Sequence, residues 1–183
     1  MEDEKKHLET QLRQSYGQVT YSYTAHLKQM QKVIKEYKIL KYTQIVLAAM
    51  ITSFCLSAVI YDELKWIAAL IAMISLVLNV YFKNFNLVEA AKKHQSAADK
   101  LWLIREWYVS LLTDLKTLSI DEIMNERERL TNETYIVYLN APKTDSISYK
   151  ESQEILKNKE EQFFTEEALD KILPEHLRKE RRL

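Results

Sequence analysis

A chain of 183 residues with a formal net charge of zero and 28% charged residues has the averages of one soluble domain. One Gly, two Pro and a single Cys exclude an intramolecular disulfide and a turn-rich fold, which leaves a largely helical protein. The averages hide two solvents: apolar residues concentrate between Tyr42 and Phe82, and almost all the charge lies on either side.

Residues 1–41 read as an N-terminal amphipathic helix on the cytoplasmic side. Leu8, Leu12, Val19, Tyr23, Met30, Ile34 and Tyr37 recur at spacings that close on one helical face. The opposite side carries Lys28, Lys32, Lys35, Lys38 and Lys41, a basic stripe beside the first apolar run. That stripe suits contact with anionic lipid, and it equally suits a topology signal on a solvated face. Gly17 costs about 1 kcal/mol relative to Ala in a helix, so a break or a frayed start is expected near it.

Residues 42–82 read as a transmembrane hairpin. From Tyr42 to Tyr61, YTQIVLAAMITSFCLSAVIY runs about twenty residues without a formal charge, matching a hydrocarbon core about 30 Å thick. Cys55, inside this run, is expected to pack as a small hydrophobe. The second span, WIAALIAMISLVLNVYF over residues 66–82, is shorter, but Lys65 and Lys83 can snorkel to the two interfaces. Tyr42, Tyr61, Trp66, Tyr81 and Phe82 fall near the span ends, the depth at which amphipathic rings prefer headgroups. Neither run follows a charged segment at the extreme N-terminus, so neither reads as a cleavable signal peptide. Only Asp62, Glu63, Leu64 and Lys65 separate the spans, which gives a tight antiparallel hairpin with an acidic tip. The lysines before the hairpin, opposed only by Glu36, and Lys83, Lys92 and Lys93 after it place both termini in the cytoplasm.

Residues 83–183 read as a cytoplasmic helical region. Leu87, Ala90, His94, Ala97, Leu101, Ile104, Tyr108, Leu111, Leu115 and Leu118 alternate three and four apart, a sustained heptad seam. Ala91, Ala98, Trp102, Val109 and Leu112 widen it beyond what one partner covers, so this helix is expected to meet both the N-terminal helix and a neighbouring copy. Leu87, His94, Leu101, Tyr108 and Leu115 are the candidate oligomer seam. His94, the polar residue on the seam, reads either as a register-fixing group with a buried partner or as a pH or ligand sensor.

Ser119 followed by Glu122 reads as a capping box opening another helix through Ile123, Met124 and Leu130, after a bend near Leu118. Over TNETYIVYLNAPKTDSISYKES the periodicity fades and Pro142 breaks the chain, so a loop is expected, with some strand character from Tyr135 to Leu139. A polar helix resumes from Tyr149 to about Lys159, and Thr165 caps a short last one ending before Pro174. Arg178, Lys179, Arg181 and Arg182 make a basic end with enough charge to attract nucleic acid, phosphate or lipid headgroups, but it reads more simply as solvated, so no direct nucleic-acid binding is expected.

The helix leading into YTQIVLAAMITSFCLSAVIY, the tiny DELK loop, the second span ending in NVYFKNF, and the downstream EAAKKHQSAADKLWLIREWYVSLLTDL together resemble the SLATT family. These are two-transmembrane effector domains found with nucleotide-synthesising and nucleotide-sensing proteins in prokaryotic conflict systems. KKHQSAA and WYVSLL carry most of the likeness, and it extends through APKTDSISYKES. The resemblance implies an effector of the prokaryotic inner membrane. Such an effector oligomerises into a pore, or otherwise perturbs the membrane in abortive infection, when a nucleotide signal or a partner protein releases it.

The family supplies no settled catalytic residues. The sequence itself shows no Gly-rich phosphate loop, no paired Cys or His at metal spacing and no Ser, His and Asp set in recognisable context. No enzyme activity, cofactor or metal is therefore expected. If a pore forms, its wall comes from the less apolar side of each span. Ala49, Ser53 and Ser57 repeat every four residues in the first, and Ala68, Ala72, Ser75 and Asn79 line one side of the second; the same small residues also suit close helix packing. Asn79 and Gln44 are amides in hydrocarbon and each needs a partner or water. Asp62 and Glu63 would ring the outer mouth of a symmetric oligomer and favour cations. The expected architecture is thus an all-α membrane protein, a two-helix hairpin flanked by long cytoplasmic amphipathic helices in an oligomeric bundle. The alternative is a non-conducting membrane adaptor that recruits cytoplasmic partners through its coiled helices.

Overall fold

The computed structural model describes residues 2–61 and 63–159, and every regular element among them is helical. Helix α1 (Glu2–Ser57) has 56 residues and is about 84 Å long at 1.5 Å per residue. No Pro occurs before Pro142 to stop it. The break expected near Gly17 is absent. Leu12, Val19 and Thr20 are buried on either side of the glycine. Burying a large apolar side chain contributes about 1.5–3 kcal/mol, more than the glycine costs.

The chain reverses over residues 58–63, where the Ile60 and Tyr61 N–H groups donate to the Ser57 carbonyl at 3.0 and 2.9 Å. Helix α2 (Leu64–Asn84) then runs back along α1. The helical part of the hairpin is therefore displaced relative to the expected spans: α1 stops at Ser57, short of Tyr61, and α2 takes in Leu64 and Lys65 from the expected loop. Both helices hold a stretch long and apolar enough to cross a membrane. None of the first stretch and 11% of the second is buried, whereas a core helix of a soluble domain would bury most of such a stretch.

Helix α3 (Leu87–Asp114) starts with the Asn86 side chain accepting from the Glu89 N–H at 3.0 Å and packs along α1, the most extensive helix pair among the described residues. Helix α4 (Ile120–Asn140) begins with the expected capping box. The Glu122 N–H donates to Ser119 Oγ at 3.3 Å, and the Ser119 N–H donates to the Glu122 carboxylate at 2.8 Å.

The loop expected from Thr131 does not begin there, because α4 continues to Asn140. Val137 falls one heptad after Leu130 and two after Ile123, and all three are buried in the core. That packing overrides the β-branched and aromatic composition that gave Tyr135–Leu139 its strand character. Thr134 Oγ1 donates back to the Leu130 carbonyl at 2.7 Å and so keeps its hydroxyl within the helix. Pro142 ends the helix by forcing Ala141 to extended backbone, φ −77°, ψ 143°.

Helix α5 (Ser146–Glu154) is capped by the Asp145 carboxylate, which accepts from the Ser148 N–H at 2.7 Å. It lies on α1 and continues as a π turn (Ile155–Lys159), so the polar helix expected from Tyr149 starts earlier. The expected Thr165 cap and the basic end lie outside the described residues. Leu8, Leu12 and Val19 of α1, Leu101, Ile104, Tyr108 and Leu111 of α3, and Ile123, Leu130 and Val137 of α4 form one core well away from the hairpin. On α1, the buried Thr20 and Thr24 hydroxyls donate to the Tyr16 and Thr20 carbonyls at 2.8 and 2.9 Å, so neither leaves a donor unmet.

Candidate functional site

Along the hairpin the sheltered positions alternate three and four apart. Gln44, Leu47, Ile51, Phe54 and Ala58 are half-buried on the α1 side, and Leu64, Ala68, Ile71, Ser75 and Leu78 are half-buried or buried on the α2 side. Ser75 thus belongs to the contact within the hairpin. Asn79 meets its need for a partner inside the chain, since its Oδ1 accepts from Gln44 Nε2. Ala49 and Ser53 are exposed, and at about 100° per residue their stripe points away from α2, with Ser57 half-buried where the chain turns. Ser53 Oγ donates to the Ala49 carbonyl at 3.1 Å and Ser57 Oγ to the Ser53 carbonyl at 3.0 Å, so these hydroxyls are satisfied without water. Ala72 is exposed, as are Cys55 and Glu63; Asp62 lies outside the described residues.

The seam of α3 is used within the chain. His94, Leu101, Tyr108 and Leu115 are buried and Leu87 is half-buried, with α1 and α4 as the covering helices. Trp102 and Val109 on its flank remain 47% and 39% exposed. The basic stripe is divided. Lys32 pairs with Asp145 at the start of α5. Lys41 donates to Gln44 Oε1 at 3.3 Å and lies 5.8 Å from the Phe82 ring centre. Lys35 and Lys38 are exposed and Lys28 is half-buried.

His94 has the buried partner that the seam called for, and it is His26 of α1. The two Nδ1 atoms are 3.0 Å apart, and each residue is only 5% exposed. One neutral ring donates and the other accepts, an arrangement that two imidazolium rings cannot make. Burial, and after it the charge that His94 would carry, holds the His26 pKa down to about 4. Burial lowers His94 as well, against an opposing pull from the Asp145 carboxylate. Lys32, followed by the Ser148 N–H, keeps Asp145 ionised with a pKa of about 2. Gln29 Oε1 accepts from Ser148 Oγ at 2.7 Å and from the Asp145 N–H at 3.3 Å, which fastens α5 to α1 one turn from the histidines.

A cavity of about 340 Å³ adjoins His26 between α1, the end of α4 and α5. Ser22, Tyr138, Lys143, Thr144 and Tyr149 line it, and Ser22 Oγ and the Tyr138 hydroxyl share a hydrogen bond of 2.8 Å. Hydroxyls, two phenol rings and one ammonium suit a small polar or anionic ligand better than an apolar one. No cluster of three or more metal-ligating side chains occurs among the described residues.

Sequence reading identified His94 and missed His26. The signal was present, because His26 continues the Val19, Tyr23, Met30 face of α1 at spacings of three and four. A polar residue on the apolar face of each of two helices is the pattern expected of a buried pair.

No curated protein and no solved structure matches the chain. The sequence model of one effector-domain family matches residues 8–168, which take in the hairpin and the helical body alike. The likeness carried by KKHQSAA and WYVSLL therefore extends over nearly the whole fold, and the chain belongs to the SMODS and SLOG-associating 2TM effector domain family 4.

Proposed function

We propose that this chain is a pore-forming or membrane-perturbing effector of a prokaryotic antiviral defence system. In this reading it sits in the inner membrane with both termini in the cytoplasm, held inactive until a nucleotide signal or a partner protein acts on the helical body. Family membership implies the role in antiviral defence. The observation that carries the finer reading is the continuity of α1. One helix contributes Leu8, Leu12 and Val19 to the core and, without a break, the first apolar stretch of the hairpin. A change in how the body packs is then a change in how the hairpin is held. The outer sides of both apolar stretches are left uncovered, as a lipid-facing or self-associating surface requires.

The orientation follows from Lys28, Lys32, Lys35, Lys38 and Lys41 before the hairpin and Lys83, Lys92 and Lys93 after it. The cavity beside His26 is the place where a signal can act, since it is bounded by three elements that the Ser22–Tyr138 and Gln29–Ser148 contacts join to one another. Assembly into a homo-oligomer would use the outer side of the hairpin and the exposed flank of α3, as the α3 seam is already occupied.

A second reading, a non-conducting adaptor, is favoured by Tyr135, Ile136 and Leu139 on α4, which are 63%, 51% and 67% exposed and could dock a protein partner. Dye and ion leakage from liposomes carrying the purified full chain separates the two. With its activating signal or partner supplied, an effector is expected to leak, and Ser53→Leu or Asn79→Leu should reduce the leak about ten-fold or more. An adaptor releases nothing and loses its partner on Ile136→Glu instead. A chain that stays in the membrane and never conducts, with or without its activating system, overturns the effector reading.

A further inference from the structure

An apolar groove of about 410 Å³ runs between α1 and α3 immediately beside the hairpin. Met30 and Ile34 form one wall, Leu87, Val88 and Ala91 the other, and Tyr37, edge-on to Phe82 at 6.1 Å between ring centres, closes the hairpin end. The walls are almost wholly apolar, yet Ile34 and Val88 are 37% and 43% exposed. Each helix contributes a stretch about 12 Å long, residues 30–38 and 87–95. That length gives a partner helix only about two turns of contact, whereas a hydrocarbon chain can lie along the whole of it. Lys38 and Lys92 stand one on each wall, and no carboxylate is among the lining residues.

We propose that this groove is a binding site for one anionic phospholipid, with an acyl chain laid between Ile34 and Ala91 and the phosphate held by Lys38 and Lys92. Apolar walls that water would otherwise wet, paired ammonium groups, and an opening at the edge of the hairpin together select a lipid with a negative headgroup. The proposal rests on the reading of the hairpin as membrane-inserted. Lipid in the groove would wedge α1 and α3 apart or hold them at a fixed spacing, so the site gives the surrounding bilayer a say in how the body packs.

Native mass spectrometry of the full chain in mild detergent, with phosphatidylglycerol or phosphatidylcholine added, tests it. The expected result is one phosphatidylglycerol per chain, favoured about ten-fold over phosphatidylcholine. Lys38→Gln combined with Lys92→Gln should bring the two lipids to parity, and Ala91→Trp should fill the groove and abolish the adduct. Ile34→Glu, at a position exposed enough to tolerate a carboxylate, is a second variant expected to lose the anionic lipid, should Ala91→Trp fail to fold. Equal occupancy by both lipids in the unsubstituted chain, or an adduct indifferent to Ile34→Glu, overturns the proposal, as does a protein chain retained in place of lipid. Liposome flotation in parallel separates the two layers of argument. A chain that floats but holds no phosphatidylglycerol removes the groove alone, and one that binds phosphatidylglycerol without floating removes the membrane reading alone.

Discussion

The His26–His94 pair is polar, buried and shared between the two helices that matter most, so its energetics are asymmetric. Removing one ring leaves the other with an unmet nitrogen, which costs about 1–3 kcal/mol. Replacing both by apolar side chains of similar volume removes the unmet group as well. His26→Leu and His94→Leu singly are therefore expected to lower the melting temperature more than the double variant does. Acid acts on the same contact. The folded pKa of His26, about 4, lies below its ordinary 6.5, so its contribution to stability is complete above about pH 6.5 and is lost as pH falls towards 4. Asp145, lowered to a pKa of about 2, adds a slope of its own only at the acid end of that window, where the unfolded chain begins to take up its proton. Thermal melts between pH 7 and pH 4 should fall steeply in the unsubstituted chain and more gently in the double leucine variant; parallel curves would remove the pair as the cause. At Gly17 nothing lies within 4 Å of where a Cβ would stand, and the helix runs straight through. Gly17→Ala is thus expected to stabilise by about 0.5–1 kcal/mol, read as a raised melting temperature.

At the scale of the element, the start of α4 was legible in the sequence and its end was not. Ser119 and Glu122 announce α4 by local chemistry alone, and the structure forms that box. Ser119→Ala is expected to cost about 1 kcal/mol. The end of α4 was hidden because Tyr135–Leu139 has the composition of a strand, and only Val137, reaching the core a heptad after Leu130, reveals the helix. Ile136 tests this directly. Its side chain is 51% exposed, so Ile136→Pro removes little packing yet breaks a backbone hydrogen bond. It should cost about 3 kcal/mol or more, whereas a loop would absorb it; urea titration of the two variants side by side gives both magnitudes. The α3 seam teaches the complementary limit. Its period correctly marked which face of the helix is covered, but a period carries no information on which helix covers it. The structure fills that face with α1 and α4 of the same chain.

For the whole molecule, the hairpin was legible because two long uncharged runs stand on either side of a short connection, while the body depended on contacts between residues far apart in sequence, such as Lys32 with Asp145 and Gln29 with Ser148. The continuity of α1 joins the two parts, and it can be cut. Lys35 is exposed between core and hairpin, and Lys35→Pro should interrupt the helix there at a local cost of about 3 kcal/mol. Flotation with liposomes is expected to survive, and signal-dependent leakage is expected to be lost. Leakage unchanged by the proline would mean that body and hairpin work independently. The reason for expecting coupling is geometric. From Glu2 to Tyr37 the helix extends about 52 Å, so a tilt of about 5° pivoting near Tyr37 swings its far end by about 5 Å, roughly one helical turn. The opposite arm, from Tyr37 to Ser57, is about 30 Å long and would move by about half that, so in the proposed effector α1 would be a lever that trades a large, easily driven displacement among the packed helices for a small, firm one at the hairpin tip.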